Sequence, residues 1–158
     1  MAHGGGGDFG EAHRPSLVRF CEGYLGRRDE AEDAAQEVLA KALAAREPIG
    51  DLATWLRKVA RNHCLNVLRS RRRRRDSERL PTDPPFRASL AGPLTRLAGA
   101  ESEKEVANAL ASLDDGEREA LWLRYGENLS REEIAAILGV PESVVKSRLH
   151  EALEKLRD

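Results

Sequence analysis

Two helices joined by a tight turn are predicted within LSREEIAAILGVPESVVKSRLHEAL, residues Leu129 to Leu153. Ser130 followed three residues later by Glu133 is a capping box, in which each side chain accepts a hydrogen bond from a backbone amide at the start of a helix. Gly139 can adopt the left-handed conformation that ends this helix, and Pro141 suits the first turn of the next one. The stretch therefore predicts a helix, a short turn and a second helix.

The second of these helices has one apolar and one polar face. Its apolar positions recur at helical spacing and are Val145, Leu149, Ala152, Leu153 and Leu156. Its open face carries Ser143, Lys146, Ser147 and His150. In a helix-turn-helix, this open face enters the major groove of DNA, where its first residues meet base edges. An ordinary antiparallel helical hairpin has the same caps and apolar stripe, so this segment alone leaves both interpretations open.

Three more helices are predicted in the first half of the chain. The first extends from about Pro15 to Leu25, and the second from about Ala31 to Leu43 with an acidic outer face. The third begins after Asp51, which is a suitable N-cap, and is basic on its outer face. The apolar positions expected to form their core are Leu17, Val18, Cys21, Leu25, Ala31, Ala34, Ala35, Val38, Leu39, Ala42, Leu43, Leu52, Trp55, Leu56, Val59, Ala60, Cys64, Val67 and Leu68.

The third helix carries a concentration of positive charge. Its polar side presents Arg57, Arg61, Asn62, Asn66 and Arg69, and an uninterrupted run of arginines from Arg71 through Arg72 and Arg73 to Arg75 follows. Cations also suit the negative end of a helix dipole, so the run by itself is compatible with a solvated helix end. Its continuity with the cations earlier in the helix favours binding of a polyanion such as nucleic acid.

Charge and composition divide the chain into two parts. Residues 1–79 hold 16 Lys and Arg against 12 Asp and Glu, whereas residues 80–158 hold 10 against 15, although the net charge of the whole chain is only −1. From residue 76 to residue 100 the apolar period disappears and Pro and Gly accumulate, which predicts a flexible linker. The Gly-rich residues 1–13 are expected to be disordered. We therefore predict an all-α protein of two small helical domains, residues 14–75 and 101–158, the second containing the helix-turn-helix.

The inventory of catalytic and metal-binding patterns is poor. The four histidines form no metal-ligand spacing with the two cysteines, and no phosphate-binding loop, dinucleotide fingerprint or nucleophile elbow is present. The acidic residues of the second helix are spread around it and do not converge as a catalytic pair does. The sequence predicts no enzyme, no cofactor and no metal site. Two cysteines without framework spacing, no secretory signal and no apolar run of about 20 residues favour a cytoplasmic protein without a membrane span.

Three stretches together resemble a known family. DEAEDAAQEVLAKAL (Asp29 to Leu43), DLATWLRKVARNHCLNVLRSRRRR (Asp51 to Arg74) and the helix-turn-helix stretch that ends at Leu153 are similar to conserved regions 2 and 4 of extracytoplasmic-function (ECF) sigma factors. The resemblance rests on the combination of DxxQE on an acidic helix, WLRKVARN on the next and EEIAAILGV followed by VKSRL. It implies a sigma factor that binds core RNA polymerase and directs transcription from promoter DNA, with an anti-sigma factor as a partner that the family often uses.

The resemblance also implies roles for particular residues. Asp33, Gln36 and Glu37 are expected to contact the polymerase. The third helix, with Arg61, Asn62, Asn66 and Arg69, is expected to hold the −10 element, where the non-template strand is melted. Lys146, Ser147, Arg148 and His150 match positions that read or flank the −35 element.

Two departures from the family pattern concern the −35 element. In many family members the two residues before VKSR are a small residue and Thr, and here they are Ser143 and Val144. Glu151 stands at a position where many family members have an Arg. A carboxylate repels phosphate, although it can accept a hydrogen bond from a cytosine amino group. The alternative function is a stand-alone helix-turn-helix regulator that binds duplex DNA without polymerase.

Overall fold

The computed structural model of this protein describes residues 5–45, 50–78 and 86–157. The regular structure of this part of the chain is helical throughout, which confirms the predicted all-α class. The helices are α1 (Gly5–Leu25), α2 (Arg28–Ala44), α3 (Leu52–Glu78), α4 (Arg87–Ala98), α5 (Glu103–Ala111), α6 (Asp115–Leu121), a π-helical turn (Trp122–Gly126), α7 (Arg131–Leu138) and α8 (Glu142–Arg157). The chain divides into two compact units, residues 1–85 and residues 86–158.

The first unit is a bundle of α1, α2 and α3, each of which packs against the other two. The apolar stripes predicted from the sequence supply most of its core. The small alanines on α2 let the neighbouring helices approach closely. Its buried apolar residues are Leu17, Val18, Phe20, Cys21, Tyr24, Leu25, Ala31, Ala34, Ala35, Val38, Leu39, Ala42, Leu56, Ala60 and Cys64. Asp51 caps α3 as predicted, because its carboxylate accepts hydrogen bonds from the hydroxyl and the amide of Thr54 at 2.7 and 3.3 Å.

Two expectations for the first unit are wrong. Helix α1 begins at Gly5, so residues 5–13 are helical where disorder was expected, and residues 1–4 lie outside the described residues. Extending an existing helix costs much less than nucleating one, which allows the core-packed segment after Pro15 to propagate toward the N-terminus. Leu43 is 61% exposed although the apolar pattern placed it in the core. It follows the buried Ala42 by one residue, and a step of about 100° turns it away from the bundle.

The second unit contains the predicted helix-turn-helix. The Ser130 hydroxyl accepts from the Glu133 amide at 3.0 Å, and the Glu133 carboxylate accepts from the Ser130 amide at 2.9 Å, which completes the capping box. Gly139 has φ of +69° and ends α7, as expected. Helix α8 buries Val145, Leu149 and Ala152 against α6 and α7. Among the buried positions that sequence patterning did not include are Trp122 and Leu123 of the π-helical turn.

The predicted linker over residues 76–100 is largely replaced by helix. Helix α3 continues to Glu78, and α4 occupies residues 87–98 as part of the second unit. Residues 79–86 lie between these two helices, and residues 79–85 are outside the described residues. Leu90 and Leu94 of α4 are completely buried, and the Phe86 ring stacks on Trp122 with centroids 4.6 Å apart. Burial of these side chains outweighs the poor helix propensity of a segment that contains Gly92 and Pro93.

Candidate nucleic-acid and protein interfaces

The acidic face of α2 is exposed. Asp33, Gln36 and Glu37 all lie on the surface, because the buried positions between them turn the opposite side of α2 into the bundle. The Gln36 carbonyl oxygen accepts a hydrogen bond from Arg14 of α1 at 3.4 Å. A Glu37 carboxylate oxygen lies 3.5 Å from Nδ1 of His63 on α3. The structure therefore gathers the three predicted polymerase contacts on one face, which is tied lightly to both neighbouring helices.

One exposed stripe runs along α3. It consists of Lys58, Asn62, Asn66, Arg69 and Arg73, which recur every three or four residues and are all exposed. The side-chain amide oxygen of Asn66 accepts a hydrogen bond from the Arg69 guanidinium at 2.9 Å, and Arg73 donates to the Ser70 hydroxyl at 3.3 Å. We call these five residues the amide–cation stripe. Amides in such a setting can read base edges while the cations hold phosphates.

Sequence reasoning missed one member of the amide–cation stripe. Lys58 was not among the predicted site residues, yet it lies four residues before Asn62 and shares its exposed side of α3. The signal was present in the sequence, because spacing of i, i+4, i+8 and i+11 places Lys58, Asn62, Asn66 and Arg69 on one side of a helix.

The remaining predicted cations of α3 lie apart from the amide–cation stripe. Arg57 and Arg61 are half-buried, and Arg57 lines a shallow groove with His13, Ser16 and Leu17 of α1. Hydrogen bonds from the Thr54 hydroxyl and amide, with a smaller contribution from the Arg57 charge, hold the pKa of Asp51 below its usual 3.8. Arg72 is exposed next to the stripe.

Arg71 points into the first unit. One of its terminal nitrogens donates to the Leu25 carbonyl at 2.9 Å, and its guanidinium forms an ion pair with Glu30 of α2. Its side chain is only 17% exposed. The predicted DNA-contacting arginine run is therefore divided, with Arg71 engaged inside the protein and Arg72 and Arg73 on the surface.

The polar face of α8 is open. Ser143, Lys146, Ser147 and His150 are all exposed and lie on one side of the helix, as the sequence predicted. Glu151 is exposed at the edge of this face. Arg148 is different, because it is half-buried and its guanidinium Nε lies 3.7 Å from the position that a Cβ on Gly116 of α6 would occupy. Four of the five predicted residues on α8 are brought together, and Arg148 lies against α6.

No group of three or more His, Cys, Asp or Glu side chains is arranged to hold a metal ion within residues 5–45, 50–78 and 86–157. Cys21 and Cys64 are free and completely buried between α1 and α3. A hydrogen bond to Cys21, together with burial, raises the pKa of the Cys64 thiol far above its usual 9.0, which keeps it protonated and weakly nucleophilic. In the same part of the chain, every helix is too short or too polar to span a bilayer.

Comparison with known proteins connects these surfaces to a family. Residues 10–74 match the family model Sigma-70 region 2, and residues 109–158 match Sigma-70, region 4. The chain is 35% identical over 145 residues to the ECF RNA polymerase sigma factor EcfG of Rhodopseudomonas palustris (strain TIE-1), covering 90% of this chain and 77% of that protein. It is also 35% identical to the ECF RNA polymerase sigma factor SigL of Mycobacterium tuberculosis (strain ATCC 25618 / H37Rv), covering 93% and 84%.

This chain belongs to the ECF sigma factor family. A solved structure agrees with the assignment, since the sigma factor RpoE of Bartonella quintana, crystallised with the anti-sigma factor NepR, aligns with a TM-score of 0.64. That alignment has 28% sequence identity and covers 95% of this chain and 94% of RpoE. The resemblance predicted from sequence is confirmed, and with it the function of an RNA polymerase sigma factor.

The bounds of the two family matches can be compared with the helices of this ECF sigma factor. The region 2 match ends at Arg74, within α3, and the region 4 match begins at Ala109, within α5. Helix α4 therefore lies between the two matches, although it packs into the second unit. Family sigma factors are transcription initiation factors and not enzymes, which agrees with the poor catalytic inventory of the sequence.

Proposed function

We propose that this ECF sigma factor binds core RNA polymerase through the acidic face of α2 and selects promoters through the amide–cation stripe of α3 and the polar face of α8. The observation that carries the proposal is the exposure of the acidic face and the stripe on the same three-helix unit. Asp33 and Glu37 offer negative charge to a basic partner surface, while the stripe offers cations to DNA. One small unit can thus hold polymerase and the −10 element together.

The amide–cation stripe suits a melted −10 element. Unpaired bases expose their edges, which Asn62 and Asn66 can read through paired donors and acceptors. Lys58 and Arg69 flank these amides, and together with Arg73 they can neutralise phosphates of the same strand. The hydrogen bond between Asn66 and Arg69 fixes the amide's orientation before DNA arrives.

The open face of α8 suits duplex DNA of the −35 element. Ser143, Lys146 and Ser147 lie in the first two turns, the part of a recognition helix that reaches base edges in the major groove. His150 lies one turn further along on the same side. We assign Arg148 a supporting role, since it lies against α6. Glu151, on the edge of the open face, disfavours phosphate there and favours a cytosine amino group.

The wider setting of the protein is part of the same proposal. We infer that it acts in the cytoplasm, without enzymatic activity and without a cofactor, as its family does. An anti-sigma factor is a further proposed partner, supported by the complex in which the related RpoE was crystallised. The family matches support region 2-like and region 4-like domains, which we propose to bound at residues 5–78 and 86–158.

Retention and transcription assays test the main proposal. Core RNA polymerase should be retained by immobilised protein, and promoters selected from a genomic library should give run-off transcripts only when this protein is added. Retention without any protein-dependent transcript, or transcription that is unchanged by omitting the protein, would contradict the proposal. Tight binding to duplex DNA in the absence of polymerase would instead support a stand-alone regulator.

A separate assay tests the role of α8. Replacing Lys146 and His150 by Ala should reorder the preferred −35 sequences while polymerase stays bound. For each lost base contact, the binding free energy that separates the preferred base from the others should fall by about 1–3 kcal/mol. The matched control is Arg157→Ala, which removes an exposed cation at the far end of the same helix. An equal loss on every promoter would contradict base reading by these two residues.

A further inference from the structure

We propose that Arg71 is a positioning residue, which anchors the arginine-rich end of α3 to the junction of α1 and α2 and thereby orients the amide–cation stripe. It makes no phosphate contact in this arrangement. The inference rests on the proposed function of the stripe in DNA recognition. It assigns the first arginine of the run a different task from that of Arg72 and Arg73.

Two contacts tie Arg71 to other helices of the first unit. It donates to the carbonyl of Leu25, the last residue of α1, at 2.9 Å. The final carbonyls of a helix lack an intrahelical partner and carry the negative end of its dipole, so a guanidinium is well suited to this position. The same guanidinium is paired with Glu30 in the first turn of α2. Arg71 therefore bridges the end of one helix and the start of the next.

The helical phase of α3 explains why Arg71 faces inward. Leu56, Ala60 and Cys64 are buried at successive intervals of four residues, and Arg71 follows Cys64 by seven, which is close to two full turns. It consequently continues the core-facing side of α3 beyond its last buried apolar residue. Arg72 and Arg73 are rotated away by about 100° and 200° and are exposed.

Electrostatics separates Arg71 from its neighbours. The Glu30 carboxylate, whose side chain is 34% exposed, already neutralises the Arg71 charge. A phosphate would have to compete with this carboxylate and with the Leu25 carbonyl for a side chain that is mostly buried. Arg69, Arg72 and Arg73 present exposed cations instead. The positive charge available to DNA is thus that of the exposed residues, and Arg71 determines where they point.

Loss of the anchor should loosen the end of α3 without unfolding the bundle. The core contacts of Leu56, Ala60 and Cys64 remain when Arg71 is removed, whereas the turns that carry Arg69 and Arg73 lose the hydrogen bond to Leu25 and the ion pair with Glu30. Loosened arginines still attract phosphates, but the Asn66 amide, to which Arg69 donates a hydrogen bond, no longer holds one direction. Recognition of sequence should therefore suffer more than attraction to DNA.

The test compares Arg71→Met with its exposed neighbour Arg72→Met in holoenzyme. The probe is a single-stranded DNA selected from a random pool by wild-type holoenzyme, together with its scrambled sequence. Arg72→Met should reduce the slope of log affinity against log salt by about 0.7, the value for one phosphate of a single strand, and keep the preference for the selected strand. Arg71→Met should keep the slope and lower the preference about fivefold to tenfold. Equal slope losses in the two variants would overturn the proposal.

Glu30→Gln gives a test of opposite sign. Removing a negative charge near DNA should strengthen attraction to the strand if electrostatics alone matters, whereas loss of the Arg71 anchor should weaken sequence preference as Arg71→Met does. Arg71→Lys, which can still pair with Glu30, should recover most of the preference. A gain of affinity with unchanged preference in Glu30→Gln would contradict the anchoring role.

Hydrogen exchange of the free protein provides a readout that does not depend on DNA or polymerase. In Arg71→Met, amides of residues 69–75 should exchange at least several times faster than in wild type, while amides of α1 and α2 keep their protection. Unchanged exchange over residues 69–75 would overturn the inference even if the proposed function holds. Failure of wild-type protein to retain polymerase would instead count against the proposed function alone.

Discussion

Glu117 is a carboxylate inside the second unit, with a side chain only 2% exposed. One of its oxygens accepts from the Asp114 amide at 2.9 Å, in the capping box of α6, and from the Lys155 ammonium of α8 at 2.7 Å. A buried charge is tolerated when it is paired and hydrogen-bonded, so the Lys155 contact joins the start of α6 to the end of the recognition helix. The hydrogen bond to Glu117 raises the pKa of Lys155 above its usual 10.5.

The Lys155 pair predicts a pH dependence on the alkaline side. A lysine whose pKa is raised by folding adds stability that is fully present below 10.5 and is lost as pH rises through the higher folded value. Lys155→Met should therefore lower the thermal stability of the chain at neutral pH and remove part of its decline above pH 10.5. The control is Lys146→Met, an exposed lysine on the same helix. Identical alkaline unfolding curves for wild type and Lys155→Met would contradict this role.

Lys58 carries a second prediction at this scale. Because it shares the exposed side of α3 with Asn62 and Arg69, we expect Lys58→Ala to reduce the salt slope of single-strand binding by holoenzyme by about 0.7. Lys41→Ala, which removes an exposed lysine from α2, serves as the control and should leave the slope unchanged. A salt slope that does not change in Lys58→Ala would mean that Lys58 lies outside the DNA-binding surface.

Among the elements, α4 is the one whose intrinsic preferences disagree most with its structure. Its sequence RASLAGPLTRLA contains a proline within the helix, its N-cap Phe86 has φ of +70°, and no side chain caps its start. The Thr95 hydroxyl lies 3.0 and 2.8 Å from the carbonyl oxygens of Ala91 and Ala100 and can donate its one proton to either, which supports the helix end locally. Its stability must come chiefly from the burial of Phe86, Leu90 and Leu94.

A core substitution in α4 tests this dependence. Leu90→Ala should lower the free energy of unfolding of the second unit by about 2–5 kcal/mol, the usual cost of such a truncation in a core. The matched control is Arg96→Ala, an exposed position on the same helix that should change stability by no more than about 0.5 kcal/mol. Denaturant unfolding of the full chain in a Trp55→Phe background, followed by Trp122 fluorescence, measures both. Equal midpoints would mean that α4 contributes little to the second unit.

The contrast between α7 and α4 explains what sequence reasoning could predict. In α7 the capping box, the apolar period and Gly139 all favour the same helix, and each was confirmed. In α4 the local signals favour a linker, while the decisive contacts come from Trp122, more than twenty residues away in sequence. The inward direction of Arg71 was missed for a related reason. Its type indicated an exposed cation, whereas its helical phase, which continues from Cys64, indicated the core side.

At the scale of the whole molecule, the two units carry opposite net charge. Residues 1–85 hold 16 basic and 13 acidic side chains, and residues 86–158 hold 10 and 14. Long-range attraction to DNA is therefore expected from the first unit, while the second relies on a few cations on an acidic background. An acidic region 4-like unit should bind DNA weakly unless another contact holds it near the promoter.

We expect the contact between α2 and polymerase to keep the second unit near the promoter. Asp33→Lys or Glu37→Lys should weaken retention by core polymerase at least tenfold, because a basic partner surface would meet a like charge. Glu101→Lys is the control, since it makes the same charge change at an exposed position in the second unit. Circular dichroism should show unchanged helix content in all three variants. Undiminished retention by both α2 variants would move the docking surface away from this face.

The folding of α4 into the second unit has a further consequence for how weak contacts combine. Only eight peptide steps separate Glu78, at the end of α3, from Phe86, so the chain between them spans at most about 30 Å. When two binding modules are joined by so short a connection and the first is bound, the effective concentration of the second near the same DNA is on the order of millimolar. Once the first unit is engaged, the second samples nearby DNA as an almost intramolecular event. Avidity can then raise the overall affinity by about 10² to 10⁴, without any new contact on α8.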